Sequence, residues 1–265
     1  MTPAPTGLAA AADRLRSMHR PGDPLVLVNA WDAASARLVE RAGAAAIATT
    51  SAGLVESLGF EDTDTADPDV VFAAVARITA AVQIPVTADL EAGYGLDAGT
   101  FVDRLLAAGA VGCNVEDTDH HGGGVLVDAE ANANRIAAIK QAGRAAGVDV
   151  VVNARTDGFV RRVGDALDES LVRGRLYREA GADCVYPIGM SAEDDIARCV
   201  AEIGAPVNVM LRPGAPSPAE LAALGVARVS IGSGLYRLFE RVGAVAADAL
   251  LANGDPGPLF ARTEG

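Results

Sequence analysis

The heptapeptide Ala108-Gly-Ala-Val-Gly-Cys-Asn114 ends an alanine-rich helical pattern at a glycine and continues directly into an apolar run of strand length. A glycine just past a helix is a common stop signal, because it adopts the left-handed backbone conformation without strain. The same arrangement recurs in segments 41–47, 180–186 and 224–230. This repetition predicts a chain built from alternating helices and strands.

Further apolar runs between these segments bring the number of predicted strands to eight. The runs are short and rich in β-branched residues, which is typical of strands buried on both faces of a parallel sheet. The predicted strands are 25–30, 45–49, 84–89, 111–116, 149–154, 183–187, 206–210 and 227–232. The helical patterns between them are 33–42, 68–82, 98–108, 129–146, 164–180, 191–203 and 217–224.

This alternation predicts the α/β class and a single (β/α)8 TIM barrel, spanning about 25–240 of one domain of 265 residues. A doubly wound open sheet is the alternative, although no GxGxxG motif follows the first strand. An extra helix is predicted at 8–19, at the bottom of the barrel. A long final helix begins at 234, and the tail to 265 contains apolar residues that suggest contact with a neighbouring subunit.

Composition excludes several classes of function. The net charge of −13 argues against a nucleic-acid backbone as partner. No apolar run is long enough to span a membrane, and Met1 to Ala12 do not have the pattern of a secretory leader. The three cysteines, Cys113, Cys184 and Cys199, have no disulfide or zinc-site spacing. We therefore expect a cytoplasmic protein with reduced, buried cysteines.

Acidic residues follow the predicted strands at the end where a (β/α)8 barrel carries its chemistry. Asp89 and Glu91 follow the third strand, Glu116 follows the fourth, and Asp62 lies on the loop after the second. Carboxylates gathered at one rim repel each other unless a cation lies among them, and an all-oxygen set suits Mg²⁺ or Mn²⁺ rather than zinc. The sequence thus predicts a divalent metal site, with solvated loop acids as the alternative.

Other residues at these strand ends could bind an organic acid. Arg155 follows an apolar strand and needs an anionic partner, either the acidic cluster or a substrate carboxylate. The small-residue turn TTSAG (49–53) offers backbone N–H groups to an oxyanion, and Asn208 ends the seventh strand. His120 and His121 lie in a glycine-rich segment, which is either a lid with an acid–base histidine or an exposed loop.

Taken together, several segments resemble the isocitrate lyase/phosphoenolpyruvate mutase superfamily. The similarity runs from about Leu25 to Arg237, through TTSAGLVESLGFEDTD (49–64), ADLEAGYG (88–95), NVEDTD (114–119), NARTDGF (153–159) and PVNVMLRPG (206–214). The resemblance implies a (β/α)8 barrel whose last helix is exchanged between subunits, commonly in a homotetramer. It also implies Mg²⁺ bound by a small carboxylate substrate. The implied metal-binding residues are Asp89, Glu91 and Glu116, with Asp62 acting through water; Arg155 and the turn Thr50-Ser51-Ala52 bind substrate.

The chain departs from the superfamily in its lid. The segment DTDHHGGG replaces the KKCGH-like segment of the lyase branch and has no cysteine, which argues against isocitrate and methylisocitrate cleavage. Asp89-Leu-Glu91 also replaces the more common Asp-x-Asp.

The resulting prediction is a Mg²⁺-dependent lyase or decarboxylase that cleaves a C–C bond of a small alpha-oxo or 2-hydroxy acid through an enolate-like intermediate. Arg155, Glu116 and either His120 or His121 are its expected catalytic residues. The alternatives are a phosphonate P–C mutase or hydrolase and a catalytically silent carboxylate-binding barrel.

Overall fold

The first predicted strand divides at Val28 into β1 (Leu25–Leu27) and β2 (Asn29–Ala30) in the computed structural model, which describes residues 7–260. The ends of two predictions, the N-terminal segment from Met1 and the tail to 265, therefore lie outside the described residues. The remaining barrel strands are β3 (Ile47–Thr49), β4 (Val86–Ala88), β5 (Gly112–Val115), β8 (Val151–Thr156), β9 (Cys184–Pro187), β10 (Asn208–Met210) and β11 (Arg228–Ser230). A short antiparallel hairpin, β6 (Thr118–Asp119) and β7 (Val125–Leu126), follows β5.

The barrel strands form a closed parallel ring. Six of them pair in the order β2-β3-β4-β5-β8-β9, and three in the order β1-β11-β10. A parallel bridge between Val185 and Val207 joins β9 to the start of β10, while β1 and β2 belong to one run of chain. The predicted (β/α)8 barrel is confirmed, and the open-sheet alternative is wrong because both edge strands find partners.

The seven helical patterns appear with their ends shifted by three residues or fewer: α2 (Ala33–Arg41), α4 (Pro68–Thr79), α5 (Ala98–Ala107), α6 (Ala129–Ala145), α8 (Ala166–Glu179), α9 (Glu193–Ile203) and α10 (Pro218–Ala223). Several begin at a side chain that accepts a backbone N–H, such as Asp32, Asp97 and Asp128. Three short helices were not predicted: α3 (Ser51–Ser57), α7 (Gly158–Arg161) and α12 (Gly257–Phe260). The segment predicted as a small-residue turn is thus the start of α3.

The N-terminal helix α1 (Leu8–Ser17) covers the bottom of the barrel. Leu15 is fully buried, and Arg16 Nε donates to Asp183 Oδ1 at 2.7 Å, just before β9 begins. Gly112 allows Leu15 to pack closely against the barrel floor, because a Cβ at position 112 would lie 2.9 Å from Leu15 Cδ2. The prediction of an extra helix at this end is confirmed.

The final helix α11 (Gly234–Asn253) and the short α12 (Gly257–Phe260) are largely exposed. Of the α11 residues only Ala246 is buried, whereas Val242 is 60% and Val245 63% exposed. The outer face of β1 is also uncovered: Val26 is 42% exposed and borders an apolar groove of about 530 Å³ beside α2. A helix is therefore missing from the barrel wall at the place where apolar strand surface faces solvent.

None of the described helices combines the length and the apolar character needed to cross a membrane. The three cysteines are free and buried, as predicted.

Candidate active site

The ends of β3, β4 and β8 bring most of the predicted binding residues to one cavity of about 230 Å³. Its lining includes Asp62, Asp89 and Arg155, together with the first residues of α3. Asn208 is fully buried and does not line this cavity; its Oδ1 accepts a hydrogen bond at 3.3 Å from Ser230 Oγ, which belongs to a lining residue. The lining residues that were not predicted as site residues include Asn114, Tyr186 and Arg228.

Asp89 is oriented by donors from two neighbouring strand ends. Its Oδ2 accepts bonds from Ser51 N at 3.3 Å and Ser51 Oγ at 3.2 Å, and its Oδ1 accepts from Asn114 Nδ2 at 3.1 Å. Asp89 N in turn donates to Thr49 Oγ1 at 2.8 Å. The TTSAG segment therefore positions an acidic side chain as well as forming part of the cavity wall.

Carboxylates lie around this cavity: Asp62 and Asp89 line it, and Glu116 contacts Arg155 beside it. Burial, together with the negative charges of Asp89 and Glu116, raises the pKa of Asp62 to about 6. A divalent cation between such groups would offset this repulsion, and carboxylate oxygens are the ligands that Mg²⁺ and Mn²⁺ prefer. The donor set thus fits the metal that the sequence predicts.

Glu91 faces a different set of partners. Its Oε1 accepts the Tyr94 hydroxyl at 3.0 Å, and its Oε2 accepts the backbone N–H of Asp64. Burial and the charge of Asp62 raise the pKa of Glu91 to about 8, despite these two bonds. Over residues 7–260, no three histidine, cysteine or acidic side chains are grouped closely enough to hold an ion as they stand. Joint ligation by all four acids therefore stays a prediction.

Arg155 lies between two buried acids. Its Nη1 contacts Glu116 Oε2 at 2.6 Å, and its Nε contacts Asp157 Oδ1 at 2.6 Å. Burial lowers the pKa of Arg155, but the two carboxylates raise it well above its usual value. From the sequence, the partner of Arg155 was expected to be either the acidic cluster or a substrate carboxylate. The structure shows Arg155 paired with acidic side chains.

A buried network that was not predicted holds Asp157 in place. Asp117 Oδ1 accepts the backbone N–H of Asp157 at 2.8 Å. Asp117 Oδ2 accepts the Tyr177 hydroxyl at 2.8 Å and Arg173 Nη1 at 3.2 Å. Arg173 and Tyr177 both lie on α8. A signal for this network exists only in the helical spacing of Arg173 and Tyr177, which places them on one face of α8.

The glycine-rich segment forms the β6–β7 hairpin and separates the two histidines. His120 Nε2 contacts Glu116 Oε1, and this bond raises the pKa of His120. His121 is more exposed, with its Nε2 3.5 Å from Asp64 Oδ2. The hairpin therefore brings His120 to the site, whereas His121 lies at its edge. A second cavity of about 250 Å³, lined by both histidines, borders Glu116 on this side.

The barrel, the acidic residues at its mouth and Arg155 agree with the resemblance noted from the sequence. The model of the phosphoenolpyruvate phosphomutase family matches residues 15–251. The chain belongs to this family. Its membership confirms the predicted superfamily and makes the protein a member of a family of lyases and mutases.

Individual relatives support this membership. A protein of Mycobacterium tuberculosis (strain ATCC 25618 / H37Rv), described as uncharacterized, is 36% identical over 83% of this chain and 81% of its own length. The 2-methylisocitrate lyase of Bacillus subtilis (strain 168) is 29% identical over 74% of this chain, which spans only 65% of the lyase.

Solved structures of family members have the same fold. A candidate phosphonomutase from Burkholderia cenocepacia J2315 superimposes with a TM-score of 0.85 at 40% identity, covering 90% of this chain and 99% of that chain. A 2,3-dimethylmalate lyase of the PEP mutase/isocitrate lyase superfamily gives a TM-score of 0.83 at 27% identity, covering 94% and 87% of the two chains.

Proposed function

We propose that the protein is a Mg²⁺-dependent lyase that cleaves a C–C bond of a small alpha-oxo or 2-hydroxy carboxylic acid. The observation that carries the proposal is the meeting of opposite charges at one site: Asp62 and Asp89 line a cavity with Arg155, and Arg155 Nη1 contacts Glu116 Oε2 at 2.6 Å. Such a site accommodates both a divalent cation and an acid anion. The lyase names of the relatives favour C–C bond chemistry.

Asp89 and Glu116 would hold Mg²⁺, with Asp62 and Glu91 contributing directly or through water. When bound, Mg²⁺ supplies a Lewis acid that stabilises an enolate-like oxygen. Arg155 would bind the substrate carboxylate by exchanging its bond to Glu116 for a bidentate pair. Backbone N–H groups at Thr50-Ser51-Ala52 would donate to the developing oxyanion.

We propose His120 as the acid–base residue that transfers a proton to or from the substrate. Its ring nitrogen contacts Glu116 at the cavity mouth, and its raised pKa favours the protonated ring. It lies on the hairpin that replaces the cysteine-containing lid of the lyase branch. Since that cysteine is absent, the proposed substrates do not include isocitrate or methylisocitrate.

The test is calorimetric titration of oxalate into the protein with and without Mg²⁺. We expect oxalate to bind only with the metal, and Asp89→Asn and Arg155→Met each to weaken binding at least about tenfold, because each removes a charged partner. Arg198→Met, a change at an exposed residue of α9, is the control that should leave binding unchanged. Metal-independent or absent oxalate binding in the wild type would overturn the proposal.

Phosphonate chemistry is a second candidate, because a candidate phosphonomutase is 40% identical over nearly its whole length. A phosphorus NMR assay on phosphonopyruvate separates the two candidates, since only P–C chemistry changes the phosphorus signal. Turnover in either assay would rule out a silent carboxylate-binding barrel.

For the assembly, we infer a homo-oligomer in which α11 of each subunit covers the barrel of another. The exposed apolar side chains of α11 and the uncovered groove at Val26 are complementary in character. Exchange of this helix would fill the position left open in the wall of each barrel.

A further inference from the structure

Arg228 lies inside the barrel, below the candidate active site. Parallel pairing aligns it with Leu25 of β1 and with Asn208 of β10. Its side chain is among the largest that are fully buried, at 1% exposure. Since strands alternate their side chains, Arg228 and Ser230 face the same way, with Arg228 two residues closer to the bottom of the barrel.

The charge of Arg228 has no counter-charge in direct contact. Within residues 7–260 no carboxylate forms an ion pair with it, and its Nε and Nη1 have no hydrogen-bond partner. Its Nη2 reaches Asn114 Oδ1 only at 3.5 Å. Burial lowers the pKa of this guanidinium. A buried charge left in this state is costly, so the fold retains it at the expense of stability.

Neighbouring polar groups in the barrel interior are also without partners. In the described part of the chain these include Asn208 Nδ2, Thr87 Oγ1 and Asn153 Oδ1. With the two Arg228 nitrogens, most of these atoms are donors. A donor-rich interior around one positive charge is suited to an anion.

Arg228 lines the same cavity as Arg155 and Asp89, together with Asn114 and Ser230. Arg155 lies at the end of β8, at the mouth, whereas Arg228 begins β11, near the floor. One small cavity therefore has a guanidinium at each end. A ligand with a single acid group would leave the lower one unpaired.

We propose that Arg228 forms an anion subsite at the cavity floor, which binds the distal carboxylate of a short dicarboxylate. The inference rests on the proposed function for the other end of the ligand, the alpha-oxo or 2-hydroxy acid held at Arg155. It narrows the substrate class from small carboxylic acids to diacids. It also explains why the barrel keeps a buried arginine that forms no ion pair with a carboxylate of residues 7–260.

The experiment compares two probes of equal chain length, malate and 2-hydroxybutyrate, which differ by a carboxylate in place of a terminal methyl group. Their affinities are measured by calorimetry with Mg²⁺ present, for the wild type, Arg228→Met and Arg228→Lys. We expect the wild type to prefer malate by about tenfold to a hundredfold, the value of one buried charged hydrogen bond. Arg228→Met should abolish this preference, and Arg228→Lys should keep part of it.

Two further measurements on Arg228→Met, its thermal unfolding midpoint and its affinity for oxalate, distinguish loss of the subsite from loss of folding. Arg228→Met should raise the thermal unfolding midpoint of the ligand-free protein, because a methionine needs no counter-charge, so loss of folding would not explain a lost preference. Its affinity for oxalate, which is too short to reach the floor, should stay near the wild-type value. Arg198→Met again serves as the control.

Equal affinity of the wild type for malate and 2-hydroxybutyrate would overturn the subsite. So would an Arg228→Met variant that loses oxalate and malate binding alike, since Arg228 would then act by orienting Asp89 through Asn114. If the wild type binds neither oxalate nor malate with Mg²⁺, the proposed function fails. If oxalate fails to bind but malate still binds more tightly than 2-hydroxybutyrate, the subsite stands without the proposed function.

Discussion

Burial at the barrel floor changes the pKa of one histidine, His19. His19, beyond the end of α1, is 7% exposed, and its Nδ1–H donates to the carbonyl of Leu15 at 2.9 Å. Burial, together with the positive charge of Arg228, lowers the pKa of His19 to about 4. From sequence this residue was expected only to end a helix; its burial arises because α1 packs against the barrel floor.

This shift predicts a pH-dependent stability. The folded-state pKa lies below the ordinary value of 6.5, so neutral His19 stabilises the fold above pH 6.5, and this stability is lost as pH falls towards 4. Between pH 7 and 4 the wild type should lose up to about 3 kcal/mol more unfolding free energy than His19→Gln. Urea unfolding at several pH values measures the difference. His121→Gln, a change at an exposed histidine, should retain the wild-type slope; equal slopes for all three proteins would contradict the prediction.

The identity of several site residues was visible in the sequence, but their contacts were not. Residues at strand ends converge in any closed barrel, which is why Asp89, Arg155 and the TTSAG segment were found. The hydrogen bond from the Tyr94 hydroxyl to Glu91 could not be predicted, because it depends on a left-handed backbone at Glu91, with φ of 50°. Arg228 was missed because apolar residues flank it in the strand and nothing in the pattern marks an interior charge.

At the level of elements, the contact between α1 and β5 depends on one glycine. A Cβ at Gly112 would lie 2.9 Å from both Leu15 Cδ2 and the backbone oxygen of Val151. The helix therefore approaches the barrel floor closely only because this side chain is absent. The backbone oxygen belongs to a paired strand and cannot move without disturbing the ring.

Gly112→Ala should accordingly lower the unfolding free energy by about 1–3 kcal/mol through overpacking. Gly234→Ala is the matched control, since its new Cβ would meet its nearest neighbour, Ile231 Cβ, at 3.8 Å. Urea unfolding followed by circular dichroism gives both values. Two variants of equal stability would show that α1 does not pack as described.

Helix and strand patterns predicted the regular elements well, because periodicity and N-terminal caps are local properties of the sequence. The short elements were harder to predict from the sequence. The helix α3 begins within a run of small residues that also fits a turn, and the hairpin β6–β7 has only two residues in each strand. Such short segments are stabilised by the barrel rim to which they attach, and therefore have weak signals of their own.

For the whole molecule, α11 is the element that the isolated chain does not bury. Its exposed Val242 and Val245 lie one turn apart on a helix with a single buried residue. The sequence predicted the helix from its pattern, whereas its direction away from the barrel depends on contacts that no local pattern encodes. The exposed outer face of β1 is the surface that a helix such as α11 would cover.

Val242→Asp combined with Val245→Asp should therefore convert an oligomer into a species near the chain mass of 26.9 kDa, because two charges would have to be buried at the interface. Light scattering after size-exclusion chromatography measures the mass. Asp248→Asn, at another exposed α11 position, is the control and should retain the wild-type mass. A wild-type protein that already elutes as a monomer would contradict the inferred assembly.

The contact between Arg155 and Glu116 has a thermodynamic consequence for the order of binding. Glu116 faces both the guanidinium that would grip the substrate and the position where a cation would be held, so any partner that draws its charge away leaves Arg155 open to an incoming acid. Cation and acid should then strengthen each other's binding by the same factor, as reciprocity between two ligands requires. In the proposed site, the Arg155–Glu116 pair would thus weaken the binding of either ligand alone and make joint occupancy the favoured state.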